Sequence, residues 1–465
     1  MTIPGPSDAA LQSISPLDGR YAASVSGLRP LVCEAALITR RIQVEARWLR
    51  FLLRELRAAG AVELPAAVAA ELERLDREPP ADAPLRVKRL EQRTNHDVKA
   101  VEYYIREQLQ SVGASNALLE LVHFGCTSED INNVSYALLL DDARELLAVQ
   151  ISRIGKLLKQ MAGEYADTAM LARTHGQAAS PTTFGKEMAN IAARLDWTLL
   201  RWQGVTARGK WNGAVGNFNA HIVARPDIDW PNVSARFVAE LGLEPNMLTT
   251  QIEPHDWIGA YCDALCGINI VLLDFARDMW GYISLGYLHQ RAIDGEVGSS
   301  TMPHKVNPID FENAEGNIGV ANALLRHFAD KLPVSRWQRD LTDSTVLRNI
   351  GVALGHSLVA QQALLRGLGK VSVNRARMTA ELTVTIEVLG EAVQMVLRAE
   401  GIADGYELLK KFTRGRPISI EQLHEFVGSL PLSADARERL LALQPEGYTG
   451  LARQLALSCG SSQQA

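Results

Sequence analysis

The sequence predicts an all-α fold organised around a bundle of long helices. Apolar residues recur with a helical period from about residue 128 to residue 165, which corresponds to a helix about 57 Å long at 1.5 Å per residue. Similar long patterns cover about 256–290 and 342–368. Helices of this length bury apolar stripes against one another, so they indicate a long bundle. Beyond Val371 the patterns shorten, which marks a C-terminal helical domain.

The composition is that of an ordinary globular protein large enough for two or three domains. The chain has 465 residues, a net charge of −5, 47% hydrophobic residues and 22% charged residues. We predict an N-terminal helical domain over 1–122, the central bundle over 123–370 and the C-terminal domain over 371–465. Mild acidity argues against nucleic acid and against a polybasic contact with a membrane.

Targeting signals and cysteines indicate a cytoplasmic protein. No run of about 18 apolar residues suggests a membrane span. The N-terminus MTIPGPSDAALQ has no basic start and no apolar segment of a secretory signal. The five cysteines are scattered, which fits a reducing compartment.

The segment SPLDGRY, residues 15–21, predicts a turn because it contains Pro16 and Gly19. The turn presents Arg20 and Tyr21, either as ordinary surface residues or as a pair that contacts an anion.

Apolar periodicity then predicts helices over 31–60, 64–77 and 84–110. The last of these carries three consecutive polar residues, Asn95, His96 and Asp97. They form either a solvated face or part of a site, since a carboxylate beside an imidazole can tune its protonation.

HFGCTSEDINN, residues 123–133, predicts a joint between two helices. Gly125 ends one helix, and Thr127 or Ser128 caps the next. Acidic residues at the following two positions suit the first turn of that helix. Capping explains the two hydroxyls structurally, but a helix N-terminus is also a ready anion site.

RTHGQAASPTTFGKE, residues 173–187, predicts a second joint. His175 precedes a glycine, and Ser180–Pro181 are expected to start a long helix with the proline in its first turn. An imidazole flanked by Thr174 and Gln177 near a helix start is well placed for acid–base work.

The stretch 204–230 yields one rejected motif and one irregular segment. GVTARGKW has the spacing of a P-loop, but Trp211 occupies the position that needs Ser or Thr to hold Mg²⁺. Residues 216–230 are the best candidates for short strands or an irregular excursion. Gln251 then falls in the loop before the helix predicted at 256–290.

DGEVGSSTMPHKVNP, residues 294–308, is a long connection without helical or strand character because of its glycines and prolines. Structureless length in a compact protein is often functional. We interpret the segment as a mobile lid in which Ser299, Ser300, Lys305 and Asn307 meet a carboxylate-bearing substrate; a plain polar loop is the alternative. The next helix is predicted to begin near Ile309.

RWQRDLTDSTVLRN, residues 336–349, combines arginines and hydroxyls near a helix start. The cluster of Arg336, Arg339 and Arg348, with Ser344 and Thr345 between them, could form a phosphate cradle. A solvated charged turn explains the same residues equally well.

Six segments, taken in order, resemble the adenylosuccinate lyase family of the fumarase/aspartase superfamily. They are RTNHDVKAVEYY, HFGCTSEDINN, RTHGQ, TTQIEPHD, GSSTMPHKVNP and KLPVSRWQRDLTDSTVLRN. The pattern GSS-x-MP-x-K-x-NP is typical of the whole superfamily, whereas 336–348 and SPLDGRY favour a nucleotide substrate over those of fumarase, aspartase or argininosuccinate lyase. The likeness is to the bacterial purine-biosynthetic form and covers nearly all of residues 15–450.

The resemblance implies an assembly as well as a fold. Three helical domains are implied, with five long central helices that form a twenty-helix core in a homotetramer. Each active site would draw residues from three subunits. No metal or redox cofactor is implied, and no set of His, Cys and carboxylates has metal-binding spacing.

The implied reaction is a β-elimination on small-molecule nucleotides. Adenylosuccinate gives AMP and fumarate, and succinylaminoimidazole-carboxamide ribotide gives AICAR and fumarate. Such a reaction needs a base for a weakly acidic C–H, a trap for the aci-carboxylate and an acid for the departing nitrogen. By resemblance Ser299 is the base and His175 the acid, while Glu312, in the first turn of its helix, is placed to orient Lys305 or His175.

The remaining implied roles concern binding. The residues expected at the succinyl carboxylates are Lys305, Asn307, Thr127, Ser128, Thr174 and Ser300. Those expected at the phosphate and ribose are Arg20, Tyr21, Arg339, Ser344 and Arg348. Those that complete the pocket are Asn95, His96, Asp97, His123 and Gln251.

Three rival interpretations stay open on the residues alone. They are another lyase of the superfamily, a non-catalytic relative kept as a structural protein, and a plain all-α scaffold. The intact Ser299, His175 and Lys305 argue against the second, and the third leaves the segment 294–308 unexplained.

Overall fold

The computed structural model of the chain describes residues 8–58, 64–291, 302, 305–413 and 418–459. Helix accounts for 67% of the protein and there is little strand, which confirms the all-α prediction.

Up to residue 164 the described chain is built from helices. In order they are α1 (Asp8–Leu11), α2 (Arg29–Val32), α3 (Glu34–Ala58), α4 (Ala66–Arg77), α5 (Ala83–Thr94), α6 (Asp97–Ser111), α7 (Asn116–Leu119) and α8 (Ser128–Glu164). The prediction of one helix over 84–110 is wrong. Asn95 ends α5 in the left-handed conformation with φ 50°, and His96 caps α6 by accepting a hydrogen bond from the Lys99 N–H. The 37-residue α8 confirms the predicted long helix.

The middle of the chain inserts short strands between long helices. In order the elements are β1 (Ala169–Thr174), β2 (Gln177–Thr183), α9 (Phe184–Gln203), β3 (Arg208–Gly209), α10 (Asn219–Ala224), α11 (Trp230–Glu240), β4 (Glu244–Pro245), α12 (Asp256–Ser284), β5 (Leu288–Gln290) and α13 (Ile309–Lys331). The prediction that Ser180–Pro181 start a helix is wrong, because Pro181 lies in β2 opposite Leu171 and α9 starts at Phe184. Strands over 216–230 are also not found, since α10 forms there.

The C-terminal part consists of shorter helices after one long one. In order the elements are α14 (Thr342–Leu347), α15 (Ile350–Lys370), β6 (Val371–Val373), α16 (Arg375–Val384), α17 (Gly390–Ala399), α18 (Gly405–Thr413), α19 (Ile420–Ser429), α20 (Ala434–Leu441) and α21 (Ala452–Ser458), with 3₁₀ turns at Ile386–Leu389 and Pro445–Gly447. The helix predicted over 342–368 is therefore α14 and α15, separated at Arg348 and Asn349. The predicted shortening beyond Val371 is confirmed within the described residues.

The strands form three two-stranded sheets in the described chain. β1 and β2 are antiparallel, β3 and β4 are parallel, and β5 and β6 are antiparallel.

The first of two compact units comprises the described residues of 1–150, 198–270 and 316–362. One of its apolar cores lies among α3–α7, where Ile42 and Tyr104 are buried. Its members come from several helices, so burial of their apolar stripes holds these helices together.

The second unit comprises the described residues of 151–197, 271–315 and 363–459. A core within it joins the short helices α17–α20, with Leu397 and Val427 fully buried. The division into three domains at residues 122 and 370 stays a prediction.

Helix α12 is long and apolar enough to cross a membrane by length and composition. However, 61% of its most apolar window is buried inside the protein. Core helices of soluble proteins have the same character, so this one helix is weak evidence for a membrane span.

Candidate active site

The predicted site residues are distributed over both units. Those in the first unit are Arg20, Tyr21, Asn95, His96, Asp97, His123, Thr127, Ser128, Gln251, Arg339, Ser344 and Arg348. Those described in the second unit are Thr174, His175, Lys305, Asn307 and Glu312. Ser299 and Ser300 lie outside the described residues.

The joint before α8 is closed by a hydrogen bond between its capping residue and the first turn of the helix. Because α8 begins at Ser128, Thr127 is its capping residue, and the Thr127 N–H donates to the Asp130 carboxylate at 2.8 Å. Gly125 in this joint has φ 75°, and a Cβ there would lie 2.3 Å from His221 Nε2. Only glycine satisfies both conditions.

Asp130 does more than complement the helix dipole, because it forms a fully buried ion pair with Lys210. The two charged atoms lie 2.9 Å apart, and both side chains are 0% exposed. The carboxylate also accepts the Asn212 N–H at 3.0 Å and the Gly213 N–H at 3.2 Å. A buried charge pair is tolerated when the remaining lone pairs are satisfied in this way.

Lys210 connects this joint to the loop that precedes α12. Its ammonium donates to the carbonyl oxygens of Gly213 at 3.0 Å and Gln251 at 2.9 Å. The Gln251 side chain in turn donates to the Ala214 carbonyl at 2.9 Å and accepts a long hydrogen bond from Arg339 at 3.4 Å. Thr127, Gln251 and Arg339, three predicted binding residues, thus belong to one network.

Arg339 is held among carboxylates without being saturated by them. Its guanidinium lies 3.7 Å from Glu129 and 3.9 Å from Asp343, beyond good hydrogen-bond distance, and its buried Nε has no partner among the described residues. His255, with φ 64°, lies 3.8 Å from Asp343. Burial alone would raise the pKa of Asp343, but His255 and Arg339 lower it overall. The Arg339 guanidinium is therefore held between two carboxylates without a short hydrogen bond to either of them.

Asp97 links two arginines in the first unit. Its carboxylate lies 3.0 Å from buried Arg41 and 3.4 Å from the half-exposed Arg348. Burial opposes the charge, yet Arg41 and Arg348 lower the pKa of Asp97 overall. The structure thus brings the predicted residues Asp97 and Arg348 together, and it gives Asp97 arginine partners in preference to His96, which lies 3.9 Å away.

Asn95 and His96 have clear structural duties. Asn95 ends α5, and the His96 ring accepts the Lys99 N–H at 3.2 Å as the cap of α6. Both side chains are exposed. Their predicted contact with substrate stays a prediction.

His123 forms a close pair with Glu45 of α3. His123 Nδ1 lies 2.5 Å from a Glu45 carboxylate oxygen, and the His123 backbone is left-handed with φ 62°. Burial lowers the pKa of His123, but Glu45 raises it overall.

The SPLDGRY turn is confirmed. The Tyr21 N–H donates to the Pro16 carbonyl at 2.8 Å, and the half-buried Tyr21 ring packs on Leu17, Val25 and Val359. Arg20 is exposed next to it. Ser344, the other predicted contact of the nucleotide, lies half-buried within α14.

In the second unit His175 lies at the tip of the β1–β2 hairpin. Thr174 pairs with Gln177, so His175 and Gly176 form a two-residue turn with φ 52° and 75°. Both His175 and Thr174 are exposed. The turn fixes the imidazole at a projecting position.

Two acidic residues of the C-terminal helices hold this hairpin. Arg173 forms an ion pair with Glu381 of α16, and the Ser180 hydroxyl donates to Glu391 of α17. The hairpin is therefore braced on either side of His175, which suits a group that must deliver a proton at a defined point.

The segment before α13 places Lys305 and Asn307. Lys305 is exposed and its N–H donates to the Met302 carbonyl at 3.0 Å, while Asn307 is half-buried. Glu312 lies in the first turn of α13, as predicted, and accepts the Trp280 indole N–H at 3.1 Å. Its role toward Lys305 or His175 stays a prediction.

Sequence reasoning missed Glu45, Arg41 and Lys210. Glu45 and Arg41 lie on the buried face of α3 with Trp48, so charged residues on an apolar stripe were the available signal. Lys210 lies in the rejected P-loop-like motif, and nothing local distinguishes it from an exposed lysine. Among the described residues no group of three or more His, Cys, Asp or Glu could hold a metal ion.

Family comparisons cover nearly the whole chain. The Lyase family model matches residues 19–322, and the model of the adenylosuccinate lyase C-terminal region matches residues 335–449. The chain is 48% identical to the adenylosuccinate lyase of Escherichia coli K12 over 449 residues, 96% of this chain and 98% of the relative. It is 48% identical to that of Vibrio cholerae over 453 residues and 47% identical to that of Haemophilus influenzae over 452, with the same coverage.

Solved structures show the same fold at lower identity. The 3-carboxy-cis,cis-muconate lactonizing enzyme of Pseudomonas putida matches with a TM-score of 0.72 at 23% identity, over 94% of this chain and 96% of that one. A fumarate lyase of Mesorhizobium sp. BNC1 matches with a TM-score of 0.74 at 19% identity, over 94% and 98%. At these identities the likeness concerns the fold alone, whereas the sequence matches identify the family. The chain belongs to the adenylosuccinate lyase family of the fumarase/aspartase superfamily.

Proposed function

We propose that the protein eliminates fumarate from adenylosuccinate to give AMP, and from succinylaminoimidazole-carboxamide ribotide to give AICAR. Family membership supports the reaction class. The observation that carries the substrate assignment is the network in which Arg339 from the basic segment meets Gln251 and the first turn of α8. An unsaturated guanidinium beside a helix N-terminus is suited to a phosphate or carboxylate.

The nucleotide phosphate and ribose are bound by the basic segment and the N-terminal turn. Arg348 is half-exposed and pairs with Asp97, so part of its guanidinium stays accessible to a phosphate. Arg339, Ser344, Arg20 and Tyr21 complete this set. Charge-assisted bonds from arginine to phosphate are strong and directional, which supports the assignment.

The succinyl carboxylates are bound by hydroxyl, amide and ammonium groups. The helix-capping pair Thr127 and Ser128 supplies hydroxyls at a positive helix end. Residues assigned with them are Thr174, Ser300, Lys305 and Asn307. Those assigned to the rest of the pocket are Asn95, His96, Asp97, His123 and Gln251.

The chemical step follows from the roles of two residues. Ser299 removes the proton from the carbon beside a carboxylate, and the electron pair is stored in the aci-carboxylate, where Lys305 stabilises the added charge. The C–N bond then breaks, the electrons leave with the nitrogen, and His175 protonates that nitrogen as fumarate forms. A serine acts as a base only when its alkoxide is stabilised and water is excluded, which the glycine-rich sequence around Ser299 and Lys305 are suited to provide. Glu312 is assigned to orient Lys305 or His175.

We also propose a homotetramer with active sites shared between subunits, in the cytoplasm. Long helices of both units carry exposed apolar side chains, namely Val149, Leu157, Trp197, Leu200, Ile270 and Trp280. Apolar groups of this size on long helices favour burial in a subunit interface. The five cysteines, all within the described residues, form no disulfide, which suits a reducing compartment.

Incubation of purified protein with adenylosuccinate, followed by its ultraviolet spectrum, tests the proposal. We expect the spectrum to change to that of AMP, with fumarate formed in equal amount. Argininosuccinate and L-malate are tested separately as alternative substrates. Turnover of either one in place of adenylosuccinate would favour another lyase of the superfamily, and no turnover of any would favour a non-catalytic relative.

A further inference from the structure

Glu45 is a buried carboxylate that pairs with a histidine. Its side chain is 0% exposed, and one oxygen lies 2.5 Å from His123 Nδ1. The other oxygen, Oε2, has no hydrogen-bond partner among the described residues. Burying a carboxylate is costly unless a cation or hydrogen-bond donors lie against it.

The His123 ring is surrounded by acidic groups from three helices. Glu45 of α3, Glu102 of α6 and Asp130 of α8 all act on it. Glu102 already pairs with Lys99 at 2.7 Å, and Asp130 pairs with Lys210 at 2.9 Å. Of these three carboxylates, Glu45 is the one that pairs with His123 within the described residues. Burial alone would lower the pKa of the ring, yet these carboxylates, Glu45 foremost, raise it overall.

Helix α3 also fixes the backbone that carries the ring. Trp48, less than one turn from Glu45, donates its indole N–H to the Phe124 carbonyl at 3.1 Å. His123 itself has φ 62° and lies four residues before Thr127, the cap of α8. The ring nitrogen that faces Glu45 is Nδ1, so Nε2 is the position from which a partly exposed imidazole can meet a ligand.

We propose that Glu45 is a positioning residue that holds His123 as an imidazolium, whose Nε2–H is donated to an anionic group of the nucleotide substrate. His123 is then a fixed cation of the binding site and not a general base. The inference rests on the proposed function, because it requires His123 to contact substrate. It adds to that function the charge state of His123 and identifies Glu45 as the residue that sets this charge.

The test uses Glu45→Gln in the full-length protein. The amide keeps an oxygen that accepts a hydrogen bond from Nδ1 but removes the negative charge, so the ring loses its proton at a lower pH. The quantity measured is KM for adenylosuccinate in the variant divided by KM in the unaltered protein, from pH 6 to pH 8.5. This ratio cancels the titration of the substrate phosphate, which affects both proteins equally.

We expect the ratio to be smallest at the acid end of the range and to rise with pH, by about ten-fold where the variant has lost the ring proton and the unaltered protein keeps it, because only the variant then lacks a charge-assisted bond. The change should fall mainly on KM, with kcat less affected. Glu102→Gln is the matched control: it removes a charge that acts on the ring without bonding to it, so its ratio should rise much less with pH than that of Glu45→Gln. A merely structural Glu45 would alter stability without making the ratio depend on pH.

A flat Glu45→Gln ratio, in a protein that turns over adenylosuccinate, overturns the assignment of Glu45 and leaves the proposed function intact. An unaltered protein that does not turn over adenylosuccinate overturns both. If Glu45→Gln does not fold, the same KM ratio is measured for His123→Gln, and it tests whether the ring is charged. Its KM ratio should be high and constant over the pH range if the ring stays charged, whereas a ratio that falls above about pH 6.5, the ordinary histidine range, refutes the proposal.

Discussion

The buried pair between Lys210 and Asp130 allows a prediction whose size follows from its contacts. Lys210→Met keeps the apolar stem and removes an ammonium that bonds to Asp130 at 2.9 Å, to the Gly213 carbonyl at 3.0 Å and to the Gln251 carbonyl at 2.9 Å. Both charged side chains are fully buried, so Asp130 is left as a buried anion without its cation.

Breaking a buried ion pair by removing one partner costs about 3–5 kcal/mol. Asp130 keeps the backbone N–H groups of Thr127, Asn212 and Gly213, so we expect the free energy of unfolding to fall by about 3 kcal/mol. For a unit of this size that corresponds to a fall of about 6 °C in the thermal midpoint.

Thermal unfolding followed by circular dichroism measures the effect, with Lys159→Met as the control. Lys159 pairs with Asp196 at 2.6 Å, but both side chains are partly exposed, so this loss should be at most about 1 kcal/mol. Adding Asp130→Asn to Lys210→Met should restore part of the midpoint, since the unpaired charge is removed. A Lys210→Met midpoint no lower than that of Lys159→Met would refute the reasoning.

Three further predictions concern activity. Ser299→Ala should lower kcat by about 10⁴-fold or more with KM nearly unchanged, measured by steady-state kinetics, whereas Ser300→Ala should affect both parameters mildly; the reverse pattern would mean that the base is the other serine. Arg348→Ala should raise KM for adenylosuccinate about ten-fold or more while the circular dichroism spectrum is kept, because its side chain is 48% exposed; an unchanged KM would remove it from the phosphate site. Mixing inactive His175→Ala and Ser299→Ala proteins should restore partial activity through hybrid sites, and no recovery after confirmed subunit exchange would argue against shared sites.

The helix joints could be predicted because their signals are local. Thr127 and Ser128 begin α8, and Glu312 falls in the first turn of α13, as expected. The prediction that Gly125 ends a helix is wrong, because α7 ends at Leu119 and Gly125 lies in the turn that follows it. Capping residues act within a few positions of where they stand, so sequence reveals them directly.

The rest depends on partners distant in sequence. Ser180–Pro181 have the pattern of a helix start, but pairing of Pro181 with Leu171 makes the segment a strand. Asp130 has a sufficient local explanation as a helix-dipole residue, and its pairing with Lys210, 80 positions away, appears only when the chain is folded. Charged residues acquire their strongest interactions through such tertiary contacts, which periodicity cannot reveal.

The left-handed histidines have a consequence for how this sequence can vary. Seven described non-glycine residues have positive φ, and three of them, His123, His175 and His255, are histidines in the motif joints. A side chain in that region costs of order 1 kcal/mol that glycine would avoid. At two of these positions, His123 and His175, the imidazole is assigned to the site, so substitution by glycine would gain stability at the cost of that group. Selection for heat resistance alone would draw these joints towards glycine, and the chemistry of the ring is what opposes that drift.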